Sequence, residues 1–191
     1  KIWFAKPESS EPLGGLQNEL RLIRASVNFP NHHIQLIYEP KNLTSFAMEK
    51  LTTFSKKHNI HLVSLDDIGE ALIKMERMTT SEDIGSISVQ LDLLAIARRE
   101  CSKGNLAAAS DIVRTLTPSL RVDVKDKNNQ RYETRVYTDF DEPLHEKFPT
   151  ELTLQDGELI KTNENNNFIF VYDTESEVLR SVRSTILKNY N

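Results

Sequence analysis

A chain of 191 residues and 21.9 kDa can bury about 70% of the surface that its unfolded form exposes, so it can build one ordinary core without staples. Hydrophobic residues at 38% and a mean hydropathy of -0.46 describe a soluble globular composition, with no run near the roughly 20 apolar residues that cross a bilayer. Lys+Arg 24 against Asp+Glu 28 gives a net charge of -4 with both signs scattered, which argues against nucleic acid as a partner, and the single cysteine, Cys101, excludes an internal disulfide framework and suits a cytosolic working environment.

The opening Lys1-Ile2-Trp3-Phe4-Ala5 lacks the basic region, long apolar stretch and cleavage site of a signal peptide and predicts a short buried strand. Pro7 to Gly15 predicts a loop, after which Leu16, Leu20, Ile23 and Val27 recur at helical spacing up to Pro30 and predict one amphipathic helix. Ile34 to Tyr38 predicts a strand ended by Pro40, Phe46 to His58 a helix started by Thr44 or Ser45, and Ile60 to Val63 another strand. Strand and helix alternating with short loops predict an α/β unit whose mostly parallel sheet is flanked by helices. Beyond Asp66-Asp67 the pattern turns helical: Ile68, Leu72 and Met75 share one face, and a long helix through Ile84, Ile87, Leu91, Leu94 and Ala95 ends near Gly104. A further helix covers Asn105 to Leu116. Val122 to Val124 and Tyr132 to Val136 alternate as a hairpin around Asp126 to Asn129, and Phe168 to Tyr172 predicts a strand before a last helix ending near Tyr190.

Two constellations can carry chemistry. In Tyr137-Thr138-Asp139-Phe140-Asp141 two carboxylates stand two residues apart at the end of a strand, where alternation points both to one side. Mg²⁺ and Mn²⁺ prefer such hard oxygen ligands and complete their shells with water and diphosphate oxygens, although a lone D-x-D is more often a pair of solvated turn residues. In the helix of Asn105 to Leu116, Asp111 and Arg114 lie three apart and share a face. Without further context that pair is a surface ion pair worth under about 1 kcal/mol.

Taken together, Asn105-Leu106-Ala107-Ala108-Ala109-Ser110-Asp111-Ile112-Val113-Arg114 followed by Tyr137-Thr138-Asp139-Phe140-Asp141 resembles the catalytic core of the glycosyltransferases of large clostridial toxins and related bacterial effectors. Lys1 to Ala5 resembles their first strand, and Leu36-Ile37-Tyr38-Glu39 with Asn42-Leu43 their second strand and its exit. The resemblance implies a GT-A-like nucleotide-sugar-binding domain spanning residues 1–191, as a single unit or part of a larger catalytic core. It implies that Trp3 stacks on the base of a UDP-sugar, that Asp111 and Arg114 hold donor sugar hydroxyls, and that Tyr137 contacts the nucleotide. Asp139 would touch ribose and metal and Asp141 the metal directly, with Mn²⁺ or Mg²⁺ as cofactor. The implied reaction is sugar transfer with retention to an acceptor, a host protein, by a secreted bacterial effector or toxin acting in the host cytosol. Where the family has a Gly-Gly pair before its tyrosine this chain has Arg135-Val136, which an inserted hairpin explains.

Other residues are better explained by structure than by chemistry. His32-His33 lack partners at ligand spacing and are expected to be inert surface residues; His145 is expected to be solvated and Cys101 a small apolar helix residue. Asn42-Leu43-Thr44 is a glycosylation sequon by pattern alone. Two competing functions stay open on the residues: a catalytically degenerate protein-binding module whose basic hairpin, with Arg121, Lys125, Lys127, Arg131 and Arg135, is the docking surface, and a phosphate-ester hydrolase that uses the acidic pair.

Overall fold

The computed structural model describes residues 1–30, 32–78, 84–116, 135–138, 160–162, 168–171 and 177–190. Helix α1 (Leu16–Asn28) leads to strand β1 (Gln35–Tyr38), a 3-10 turn at Pro40–Asn42, helix α2 (Ser45–Lys57) and strand β2 (His61–Ser64). Three helices follow, with no strand between them among the described residues: α3 (Leu65–Met78), α4 (Ile84–Ser102) and α5 (Leu106–Leu116). Strands β3 (Arg135–Thr138), β4 (Ile160–Thr162) and β5 (Phe168–Val171) precede helix α6 (Glu177–Tyr190).

The expected parallel unit is present in reduced form. β1 and β2 pair in parallel, Gln35 opposite His61 through Tyr38 opposite Ser64, and the first segment joins them by one parallel bridge, Ile2 to Ile37. The predicted strand at residues 1–5 is thus a single bridge, held by Trp3 N–H donating to the Ile37 carbonyl at 2.9 Å and Ile37 N–H donating to that of Lys1 at 2.9 Å. The rest of the expected mostly parallel sheet is different among the described residues. β3, β5 and β4 form a separate antiparallel sheet in that order, with Tyr137 opposite Ile169, so β3 finds its described partner in β5. The other arm of the predicted hairpin lies outside the described residues, and the fold is mixed α/β with helix predominating.

Alternation along the three parallel segments sorts side chains to two faces. Ile2, Phe4, Ile37 and Val63 enter the larger core with α3, α4 and α5, whereas Trp3, Leu36, Tyr38 and Leu62 join Leu13, Leu22 and Leu51 on the face covered by α1 and α2. α4 is apolar around much of its circumference because α3, α5 and α6 all pack on it. Leu72, Leu93 and Leu116 are fully buried there, each worth about 1.5–3 kcal/mol of burial. Among the described residues no helix is long and apolar enough to cross a membrane.

Local chemistry explains where the helices start and stop. Thr44 caps α2 by accepting the Ala47 N–H at 3.2 Å. Ser64 and Asp67 form a reciprocal cap at the start of α3: the serine hydroxyl accepts from Asp67 N–H at 3.0 Å, and the Asp67 carboxylate accepts from Ser64 N–H at 2.7 Å. The amphipathic helix at residues 16–28 forms as predicted, but its two apolar sets divide. Leu22 and Ala25 are buried, while Leu16, Leu20 and Val27 are exposed.

Candidate functional site

Trp3 follows the bridged Ile2, and its indole lies on the α1/α2 face, half-buried. Gly14 sits against it. A β-carbon at Gly14 would fall 2.6 Å from the Trp3 Cζ2, and Gly14 has φ of +69°, so both backbone conformation and space require glycine. Gly14→Ala is expected to cost about 1–2 kcal/mol for the left-handed backbone and a further amount, about 1–3 kcal/mol, for displacing the ring. Because the chain has one tryptophan, the check is direct: a lower melting temperature accompanied by a shifted fluorescence maximum, whereas unchanged emission would show that the indole does not rest on this glycine.

Asp111 and Arg114 are brought together by α5. The helix buries Ala109, Ile112, Val113 and Leu116 and leaves the pair at its edge, with Arg114 Nη2 3.0 Å from Asp111 Oδ1. The two side chains differ in setting: the guanidinium is 16% exposed and the carboxylate 67%. A largely buried cation thus orients an exposed carboxylate, an arrangement that can receive hydroxyl groups from a ligand while the arginine keeps its place.

α5 is anchored at both ends by residues that sequence reasoning did not single out as anchors. At its start Gly104, with φ of +78°, lets the chain turn out of α4, and Asn105 donates its backbone N–H to the Glu100 carbonyl at 2.9 Å. The Asn105 amide also donates to the Glu100 carboxylate at 2.8 Å, and Lys103 Nζ lies 3.4 Å from the same group. Glu100 is 6% exposed, and the Asn105 hydrogen bond and neighbouring cations hold its carboxyl below the usual range despite burial. At the far end Arg183 of α6, 1% exposed, donates Nε and Nη2 to the Thr115 carbonyl at 3.1 and 2.9 Å. The signal that could have found Arg183 is its position on the apolar stripe of α6, between Leu179 and Ile186.

The carboxyl ends of β1 and β2 collect acids. Glu39 follows β1, is buried, and accepts the Lys41 N–H at 3.1 Å; Asp67 caps α3, and Asp66 pairs with Arg98 at 2.5 Å. Burial and these charges raise the Tyr38 hydroxyl pKa. Burial, reinforced by Glu39, pushes the Cys101 thiol up to about 12, so this cysteine has no thiolate at neutral pH. Among the described residues no group of three His, Cys, Asp or Glu side chains is placed to hold a metal.

Tyr137 lies in β3, and Asp139 and Asp141, just past the strand's end at Thr138, lie outside the described residues together with His145. The histidine pair is less uniform than expected. His32 is exposed with its ring 5.4 Å from that of Phe29, but His33 is half-buried, 4.9 Å from the ring of His61, whose pKa burial lowers. Asn42 is 4% exposed and its amide donates to the Ala5 carbonyl at 2.8 Å, so the sequon asparagine is an internal tie between the first segment and the exit of β1.

The sequence model of glycosyltransferase family 88 matches residues 1–161, a stretch that takes in Trp3, the α5 pair and the Tyr137 to Asp141 segment. No curated protein matches the chain.

Proposed function

Because the chain belongs to glycosyltransferase family 88, we propose that it moves a sugar from a nucleotide-sugar donor, a UDP-sugar, to a protein acceptor with retention of configuration. The observation that carries this reading is the Asp111 and Arg114 pair, an exposed carboxylate oriented by a largely buried guanidinium on a helix fixed at both ends. In this reading Asp111 and Arg114 hold the donor sugar hydroxyls. Trp3, half-buried beyond the Ile2 bridge, stacks on the base, and Tyr137 contacts the nucleotide.

Asp139 and Asp141 hold Mn²⁺ or Mg²⁺, the kind of cation that two adjacent carboxylates and a diphosphate bind together. When bound, the cation supplies charge that stabilises the departing nucleoside diphosphate. This assignment rests on the chemistry of the two side chains and on the resemblance of the segment to the toxin glycosyltransferases. The acceptor in this reading is a host protein, and the setting is that of a bacterial effector working in host cytosol. The first test is a panel of UDP- and GDP-sugars incubated with Mn²⁺ or Mg²⁺, read by release of free nucleoside diphosphate. Release from one or more UDP-sugars supports the reading; inorganic phosphate released from a simple phosphate ester, with every sugar donor left intact, would favour the hydrolase instead.

A further inference from the structure

We propose that the outward face of α1 is the seam of a parallel two-fold dimer with a second copy of this chain. Leu22 and Ala25 hold the helix to its own domain, and on the other side Leu16, Leu20, Ile23 and Val27 recur at spacings of four, three and four. Leu16 is 67% exposed, Leu20 42% and Val27 68%, and Ile23 is half-buried, so the described residues leave most of this stripe uncovered. The spacing is that of the two core positions of a heptad, Leu20 and Val27 at the first and Leu16 and Ile23 at the fourth.

The same register identifies the occupant. Glu19 falls at the last heptad position, immediately before Leu20, and Arg24 falls at the fifth, immediately after Ile23. In a parallel pair these two flanks meet across the seam at a separation of five residues, which is the separation of Glu19 and Arg24, and the two-fold axis repeats the contact on the other side. An antiparallel pair would instead bring like flanks together. Glu19 also rims an open groove with Phe46, Glu49 and Lys50. A free helix of 13 residues would be marginal in water. Here α1 is already folded on its domain by Leu22 and Ala25, so pairing carries no helix-forming cost.

The chain should sediment at twice 21.9 kDa at micromolar concentration. Leu20→Lys should return it to a monomer with unchanged circular dichroism and with the lower, concentration-independent melting temperature of an undimerised chain, since the side chain it replaces is exposed. Arg24→Glu alone should weaken the dimer about tenfold, and Glu19→Arg added to it should restore most of the loss, because the charges are exchanged across the seam. Orientation is read by oxidation. Leu16→Cys and Val27→Cys should each cross-link to its own counterpart, whereas an antiparallel pair would link only a mixture of the two. A monomeric wild-type chain, a dimer indifferent to Leu20→Lys, or cross-links confined to the mixture would each overturn the proposal.

Discussion

Asp141→Asn is expected to lower donor turnover by about 10²–10³-fold, the scale on which removing one preorganised electrostatic contact slows a transfer reaction. The substitution keeps the side chain's size and removes the charge that would hold a divalent cation, so the loss should come with weaker Mn²⁺ binding in the presence of UDP. Folding should be nearly unchanged. Two carboxylates that share a cation site would repel each other without the cation, so removing one charge should be neutral or slightly stabilising for the metal-free chain. Calorimetry or electron paramagnetic resonance on the variant measures the metal binding, and a thermal melt supplies the control. Wild-type turnover and wild-type manganese affinity in Asp141→Asn would remove the metal from the proposal.

Asp111→Ala should cost about 10- to 150-fold in kcat/KM, the free-energy scale of a hydrogen bond to a charged group, while leaving Mn²⁺ binding intact. Its cost in stability should be modest, about 1–2 kcal/mol, because the carboxylate it removes is 67% exposed although the guanidinium that loses this partner is only 16% exposed. Arg114→Lys is the informative companion. Lysine retains the charge but lacks the planar fork, so its turnover should fall as well if the guanidinium orients Asp111 and also reaches the sugar. The double variant should lose less than the sum of the two singles, since the residues act as one unit. Strict additivity would mean that Asp111 and Arg114 contribute separately, and would count against a fork.

Much of this was legible in the sequence because it depends on neighbours along the chain. Thr44 before an apolar-periodic run marks the start of α2, and the compact apolar runs Ile34 to Tyr38 and Ile60 to Val63 mark β1 and β2 to within a residue. Likewise the i,i+3 spacing of Asp111 and Arg114 is sufficient to make them meet.

What periodicity does not contain is the identity of the neighbour. Leu16, Leu20, Ile23 and Val27 define a helix face correctly, but the same spacing fits a face turned to the core and one turned outward, and only packing of Leu22 and Ala25 decides between them. Buried polar anchors were hidden for a related reason. Arg183 meets Thr115 across 68 residues, a distance at which no local pattern signals contact, and Asn105 stood out as part of a motif although its amide is engaged in fixing the α4 to α5 corner through Glu100. The first strand shrank to the Ile2 bridge because its ladder to β1 stops at the two bonds that Lys1 and Trp3, on either side of Ile2, make with Ile37.

The most direct test of the glycosyltransferase reading is the release of UDP from a UDP-sugar panel with Mn²⁺, measured side by side for the wild-type chain and Asp111→Ala at matched concentration. Steady UDP accumulation by wild type, reduced at least about tenfold in a variant that melts at nearly the same temperature, is the predicted result. A folded wild-type chain that releases no nucleoside diphosphate from any donor, or a variant that releases it as fast as wild type, would contradict the account.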